Sequence, residues 1–212
     1  MKKAFLVGIV ACGLVAFGAF RASADTAAPA AAANAQSALP IIQKTVDQVV
    51  QVAQTMAGKD HTKERRAQLR EIINPHFDFD KMAQLCLGSN WTDLTPEQQK
   101  EFTDTFAELL ARTYLGKIET VKPGMVKIDS EQLDYPRSMV RTLITSKGDV
   151  FPLEYRLYNK DGKWLVYDVV IENIGLVANY RNEFAGIIRK EHFDGLMTRL
   201  KEKNAAAEKE GL

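Results

Sequence analysis

Apolar residues recur with a helical period through the first half of the chain. They predict one helix over residues 40–58 and a second, more polar one over residues 62–73. Pro75 closes the second helix, because the residue before a proline avoids the helical region. Another helix is predicted to begin within residues 77–83 and to end at Gly88. The pattern therefore predicts three helices before residue 90.

A longer helix is predicted to begin after Thr95. Thr95 and Gln98 have the spacing of a capping box, and Pro96 stands at the first helical position. The apolar face of this helix consists of Phe102, Phe106, Leu109, Leu110, Thr113 and Tyr114.

After Gly124 the apolar period changes from helical to alternating, which predicts three or four β-strands. Turn sequences at residues 146–149 and 159–163 indicate antiparallel hairpins. The strands are predicted over residues 126–133, 138–145, 151–158 and 164–174. One face of the resulting sheet carries Val140, Thr142, Ile144, Phe151, Leu153, Tyr155, Leu157, Trp164, Val166 and Val170.

Two closing helices are predicted near the end of the chain, and their apolar stripes can cover that face. The fold class is α+β, with a curved antiparallel sheet of about four strands covered on one side by several helices. The stripes run through Val177, Tyr180, Phe184, Ile187 and Ile188, and then through Phe193, Leu196, Met197 and Leu200. We expect one domain over residues 38–204 and a disordered tail over residues 205–212.

A secretory signal peptide is predicted over residues 1–24. Two lysines precede an apolar run over residues 4–20, and a small-residue site ends at Ala24. The run is shorter than the ~20 residues of a bilayer span, and it continues past Cys12, which disfavours lipoprotein processing there. We expect cleavage near Ala24, a location in the periplasm, and a flexible Ala-rich leader over residues 25–37.

Charge and cysteine content narrow the function further. Removal of Lys2, Lys3 and Arg21 lowers the basic residues from 28 to 25, against 27 acidic ones. A nearly neutral chain lacks the basic footprint of nucleic-acid binding. Cys86 is the one cysteine of the mature chain, so no disulfide can form within it, and its apolar neighbours favour a buried, inert thiol.

No catalytic or metal-binding motif is found in the sequence. His61, His76 and His192 lie far apart, and there is no phosphate-binding glycine loop, zinc-ligand spacing or nucleophile elbow. The sequence thus predicts no catalytic residue, no metal and no cofactor. An enzyme built from residues distant in sequence stays open as an alternative.

Short motifs follow one another in a fixed order along the predicted domain. They occupy residues 77–83, 94–98, 112–114, 155–157, 164–169, 171–177 and 179–181, with Phe102, Phe106 and Phe184 between them. In order and spacing they resemble the MlaC family, also called the toluene-tolerance family, over residues 40–204. Asn173 departs from the pattern, since the family usually has glycine there.

The resemblance implies a periplasmic carrier that is not an enzyme. Such a carrier shuttles phospholipid between an outer-membrane lipoprotein–porin complex and an inner-membrane ABC transporter with its substrate-binding ring, and so maintains outer-membrane lipid asymmetry. Helices and sheet are expected to enclose an apolar cavity for the acyl chains of this cargo. Another amphiphile such as a hopanoid stays open as cargo, and an exported interaction module or chaperone without lipid stays open as function.

The cavity implied by the resemblance needs apolar walls, and the concave sheet face and the long helix can supply them. A solid core would show the same stripes, so both interpretations stay open for each residue. Asp168 and Arg181 are expected to pair and to fix strand against helix. The candidate lipid-binding residues are Phe106, Leu110, Tyr114, Val140, Ile144, Leu153, Tyr155, Val166 and Val170.

The predicted processing is testable by intact mass. We expect protein isolated from the periplasm to begin at Asp25, because the small-residue site ends at Ala24. A mass that retains residues 1–24, or one that carries lipid on Cys12, would contradict this prediction.

Overall fold

The computed structural model of the protein describes residues 37–58 and 60–209, so the predicted signal peptide and nearly all of the leader lie outside the described residues. The helices are α1 (Leu39–Thr55), α2 (Thr62–Ile73), α3 (Phe79–Leu87), α4 (Pro96–Ile118) and α5 (Leu176–Lys209). The strands are β1 (Val126–Asp134), β2 (Arg137–Ser146), β3 (Asp149–Lys160), β4 (Lys163–Ile171) and β5 (Ile174–Gly175). The α+β class is confirmed, with one short strand more than expected.

Side-chain caps fix where α3 and α4 begin. The Thr95 hydroxyl accepts a hydrogen bond from the Gln98 amide at 3.3 Å, and the Gln98 side chain accepts one from the Thr95 amide at 2.9 Å. This is the predicted capping box of α4. Asp78 caps α3 by accepting from the Lys81 amide at 2.8 Å, and it also accepts from the Tyr158 hydroxyl. The role of Asp78 is therefore structural.

The strands form one antiparallel sheet in sequence order, from β1 at one edge to β5 at the other. Glu172 and Asn173 connect β4 to β5, with backbone φ angles of 49° and 68°. Both lie in the left-handed region, which a two-residue hairpin turn requires and which asparagine tolerates better than most residues. The turn explains why a glycine suits position 173.

A bulge in β4 changes which residues face the helices. Arg156 pairs with Asp168, whereas Leu157 pairs with Val166, so Tyr167 is an extra residue in the ladder. Side chains alternate along a strand, and one extra residue reverses the alternation beyond it. Val166 before the bulge and Val169 after it therefore share the concave face of the sheet, the face that the helices cover.

Helix α1 packs against one half of that concave face. Ala38 and Ile42 lie fully or nearly buried against Val140, Leu157 and Val166. The start of α1 is held at the sheet edge by Glu131, which accepts hydrogen bonds from the Ala38 amide at 2.8 Å and from the Ser37 hydroxyl. This half of the face is a filled core.

A second, aromatic core joins α3, α4 and α5. The Phe106 ring lies 5.8 Å from Phe102, 5.2 Å from Tyr180 and 5.8 Å from Phe184 between centroids, mostly edge to face. These geometries are favourable for aromatic pairs. The core fixes the first half of α4 against α5.

Helix α5 contains the two predicted closing helices, separated at His192, whose φ of 60° and ψ of −176° are not helical. Gly195 follows, and a Cβ there would lie 2.4 Å from the Cβ of Glu191, so the break needs glycine. The second part continues as helix to Lys209. The tail predicted to be disordered from residue 205 is thus helical over its first five residues, where it extends α5 by propagation of helical hydrogen bonds.

The far end of α4 is held against α2 by a charge cluster. Glu119 accepts from Arg65 at 2.9 Å and from Arg66 at 2.8 Å, and all three side chains are largely buried. Burial alone would raise the pKa of Glu119, but hydrogen bonds and charges from Arg66 and Arg65 outweigh it and hold the pKa below its ordinary value. The carboxylate therefore stabilises the fold while it is ionised.

We expect Glu119→Gln to lower the free energy of unfolding by about 3 kcal/mol, because two arginines lose their counter-ion in a largely buried site. Since the folded-state pKa is lowered, this contribution is present at neutral pH and lost as the pH falls through that pKa. Urea unfolding as a function of pH measures it. Glu101→Gln on the same helix is the control, since its exposed pair with Lys201 is worth under about 1 kcal/mol. A stability difference that is unchanged down to acidic pH would contradict the assignment.

Candidate functional site

A pocket of about 870 Å³ lies between α4 and the half of the concave face that α1 does not cover. Its walls come from the end of α2, the turn before α3, α3, α4 and the loop after it, the strands β2, β3 and β4, and the start of α5. The apolar lining consists of Ile73, Phe77, Phe79, Met82, Ala107, Leu110, Ala111, Tyr114, Leu115, Ile118, Val121, Met125, Ile144, Phe151, Leu153, Tyr155, Val169, Ile171 and Leu176.

Five of the candidate residues lie together in this lining. They come from two elements that face each other, α4 and the sheet. The residues are Leu110, Tyr114, Ile144, Leu153 and Tyr155. The apolar stripe of α4 and the apolar face of the sheet thus line the same pocket.

Four candidates lie elsewhere. Phe106 is fully buried in the aromatic core of α3, α4 and α5. Val140 and Val166 are on the concave face, but α1 covers them. Val170 pairs with Glu154 and points to the opposite face, since the bulge in β4 reverses the alternation. None of these four residues lines the pocket.

Several lining residues were missed from the sequence. Val169 and Ile171 line the pocket in place of the predicted Val170, because the bulge at Tyr167 reverses the alternation of side chains beyond it. Phe77 and Phe79 stack with centroids 5.8 Å apart and close one side of the pocket. Their motif was recognised as a helix start, but a helix start carries no signal for a pocket wall.

Two tyrosines of the pocket have raised pKa values. Burial raises the pKa of Tyr155 to about 12 although its side chain keeps some accessible surface. Tyr155 is one of the residues that line the pocket. Burial likewise raises the pKa of Tyr114, and the nearby Tyr180 hydroxyl opposes this to a smaller extent.

Charged groups stand at the border of the pocket. Arg70 donates to Glu108 at 2.5 and 3.1 Å, and this hydrogen bond is the main reason why the pKa of Glu108 is lowered. Lys117 is exposed, with its ammonium 5.9 Å from the Tyr114 ring centroid. The pocket therefore combines apolar walls with a polar border, the pattern of a site for an amphiphile.

Asp168 and Arg181 do not pair with each other. Asp168 is buried, accepts from the Val177 amide at 3.0 Å and lies 3.2 Å from Arg156, so it caps the start of α5. Arg181 donates to the Leu85 carbonyl at 2.7 Å. Each still joins elements of the fold, but with a different partner, because the alternation beyond the bulge aims Asp168 at the helix backbone.

Residues 37–58 and 60–209 contain no group of three or more His, Cys, Asp or Glu side chains placed to hold a metal ion. Over the same residues, no helix is long and apolar enough to cross a membrane. Cys86 is fully buried, and burial raises the pKa of its thiol to about 12. The expectation of a buried thiol is confirmed.

The described chain is thus an α+β domain with a mainly apolar pocket between its sheet and its long middle helix. The family model described as MlaC protein matches residues 43–202, which is more than half of the chain. The protein belongs to the MlaC family.

Relatives and a solved structure agree. The chain is 26% identical over 143 residues to the intermembrane phospholipid transport system binding protein MlaC of Haemophilus influenzae, covering 65% of this chain and 67% of that protein. It is 26% identical over 129 residues to the toluene tolerance protein ttg2D of Pseudomonas putida, covering 59% and 60%. A phospholipid-binding protein from Ralstonia solanacearum, solved in complex with a phospholipid, matches with a TM-score of 0.73 and 30% identity over 81% of this chain and 99% of that one.

The environment of Cys86 predicts its reactivity. We expect the native protein to resist alkylation by iodoacetamide at pH 8, because the thiol is sealed from solvent and its pKa lies far above that pH. Mass spectrometry should find full alkylation in denaturant. Rapid modification of the native protein would contradict the burial of this residue.

Proposed function

We propose that the protein is a periplasmic phospholipid carrier and that the pocket between α4 and the sheet holds the acyl chains. The observation that carries the proposal is the pocket itself, about 870 Å³ in volume and lined mainly by apolar side chains. Ligand pockets of proteins span roughly 300–1,000 Å³. Membership of the MlaC family and the phospholipid complex of the Ralstonia protein support the same ligand class.

The physical task explains the apolar walls. Each methylene exposed to water costs ~0.8 kcal/mol, so two chains of about sixteen carbons lose on the order of 25 kcal/mol outside a membrane. A carrier has to replace the contacts that the chains leave behind. Leu110, Ile144 and Leu153 supply such contacts from opposite walls.

The headgroup is expected to stay near the polar border, since a phosphate is costly to bury without a counter-charge. Lys117 and Arg70 are the cations of that border, and Arg70 already pairs with Glu108. This arrangement lets the apolar chains provide most of the binding and leaves the headgroup in water.

The route we propose runs between an outer-membrane lipoprotein–porin complex and an inner-membrane ABC transporter with its substrate-binding ring, which would maintain outer-membrane lipid asymmetry. The names of the Haemophilus and Pseudomonas relatives support transport between membranes and solvent tolerance as the setting. The predicted signal peptide, which lies outside the described residues, supports the periplasm.

The first test is native and denaturing mass spectrometry of protein purified from the periplasm, with organic extraction of any bound lipid. We expect one diacyl phospholipid per chain. A hopanoid in the extract would change the cargo. A lipid-free protein that also takes no lipid from vesicles would overturn the proposal and favour an interaction module or chaperone.

A substitution in the wall should abolish lipid retention. We expect Leu153→Asp to lose bound phospholipid, because a carboxylate among apolar side chains is unfavourable beside acyl chains. Extraction and mass spectrometry of the folded variant measure the loss.

Val150→Asp is the matched control for this change. It introduces the same charge on the same strand, but Val150 is 59% exposed and does not line the pocket. We expect this variant to keep its lipid. Normal lipid content in folded Leu153→Asp, or equal loss in both variants, would remove the pocket from the mechanism.

A further inference from the structure

The hydroxyl of Tyr155 stands out among the polar groups of the pocket. Tyr155 lies near the middle of the central strand β3, with Val140 opposite on β2 and Val169 opposite on β4. Among residues 37–58 and 60–209 it has no hydrogen-bond partner, and burial is the one cause that shifts its pKa. Tyr114 differs, since the neighbouring Tyr180 hydroxyl also affects its pKa.

Open space reaches this hydroxyl. The hydroxyl oxygen has no partner, yet it is not among the polar atoms that are fully buried without one, so it keeps accessible surface. Tyr155 lines the pocket, and this surface can therefore meet a ligand there. A donor inside an apolar site costs free energy unless it is hydrogen-bonded. An acyl chain laid against it would leave the donor unsatisfied, so the ligand that fits best brings an acceptor to this depth.

A trapped water is a poor substitute at this place. A buried water usually makes about three hydrogen bonds, and the strand neighbours of Tyr155 on the same face, Val140, Leu153 and Val169, have no polar side-chain atom to offer one. Thr142, two residues beyond Val140 on the same face of β2, already uses its hydroxyl to donate to the Leu153 carbonyl at 3.0 Å.

We propose that Tyr155 forms a polar subsite inside the pocket, where its hydroxyl donates a hydrogen bond to an ester carbonyl oxygen of the bound lipid. The inference rests on the proposed function and adds a chemical selectivity to it. Ester carbonyls are neutral acceptors attached directly to the acyl chains, so they can enter an apolar site that a phosphate would leave. The subsite therefore distinguishes ester-linked from ether-linked lipids, since the latter lack the carbonyl.

The test is a competition between two lipids. The protein, stripped of endogenous lipid, is incubated with vesicles that contain equal amounts of dipalmitoyl phosphatidylcholine and its dihexadecyl ether analogue. It is then re-isolated, and the bound lipids are extracted and counted by mass spectrometry. We expect the wild type to favour the ester lipid by about two- to tenfold, the range of a net neutral hydrogen bond.

Tyr155→Phe should lose this preference, because it removes only the hydroxyl. Tyr135→Phe is the matched control, since Tyr135 is 48% exposed and does not line the pocket, and it should keep the wild-type ratio. The variant and the wild type share the same vesicles, so any difference in how the two lipids leave a bilayer cancels between them.

The outcomes separate the two proposals. A wild type that binds both lipids equally, or a Tyr155→Phe variant that keeps the ester preference, overturns the subsite and leaves the carrier function standing. A protein that takes up neither lipid overturns the carrier function and the subsite with it. If Tyr155→Phe does not fold, Tyr155→Leu takes its place, because it also removes the hydroxyl, and a Tyr155→Leu variant that keeps the ester preference overturns the subsite.

Discussion

The pocket depends on how α4 is held at its two ends. The aromatic core with Phe102 and Phe184 fixes the first half of the helix against α5. Leu115 packs against Val49 and Leu69, and Glu119 pairs with two arginines of α2. An apolar sheet face normally collapses onto the nearest helix, since burial of apolar surface is favourable. With both ends held by other packing, the middle of α4 spans the sheet at a distance, and the gap persists.

The same constraint divides the concave face into two uses. Where α1 reaches the sheet, Val140, Leu157 and Val166 are sealed at close packing, and they contribute stability. Where α1 is absent, Leu153 and Val169 face the gap. One sheet face therefore supplies both a packed core and a pocket wall. The part that α1 covers is core, and the part that α1 leaves uncovered lines the pocket.

The sequence was sufficient for the class of fold, because periodicity reports directly which face of each element is apolar. The capping box at Thr95 and the hairpin turns fixed the element ends for local reasons that a sequence carries. The pocket positions needed more. Phe106 and Tyr114 lie on one helical stripe, yet Phe106 is fully buried in the aromatic core whereas Tyr114 lines the pocket, and the stripe is the same for both. The alternation predicts Val170 on the concave face, but the sequence around Tyr167 gives no sign of the bulge that moves Val170 to the opposite face.

The bulge at Tyr167 links the fold to the site. Without the extra residue, alternation would place Asp168 and Val170 on the face of Val166 and would move Val169 to the opposite face. Asp168 would then point into the apolar half of the sheet, and α5 would lose the carboxylate that accepts from the Val177 amide. The extra residue places valine and isoleucine in the pocket and the carboxylate at the helix start at the same time. The bulge thus gives the buried Asp168 carboxylate a hydrogen-bond donor and completes the apolar wall of the pocket. Both the fold and the pocket therefore depend on it.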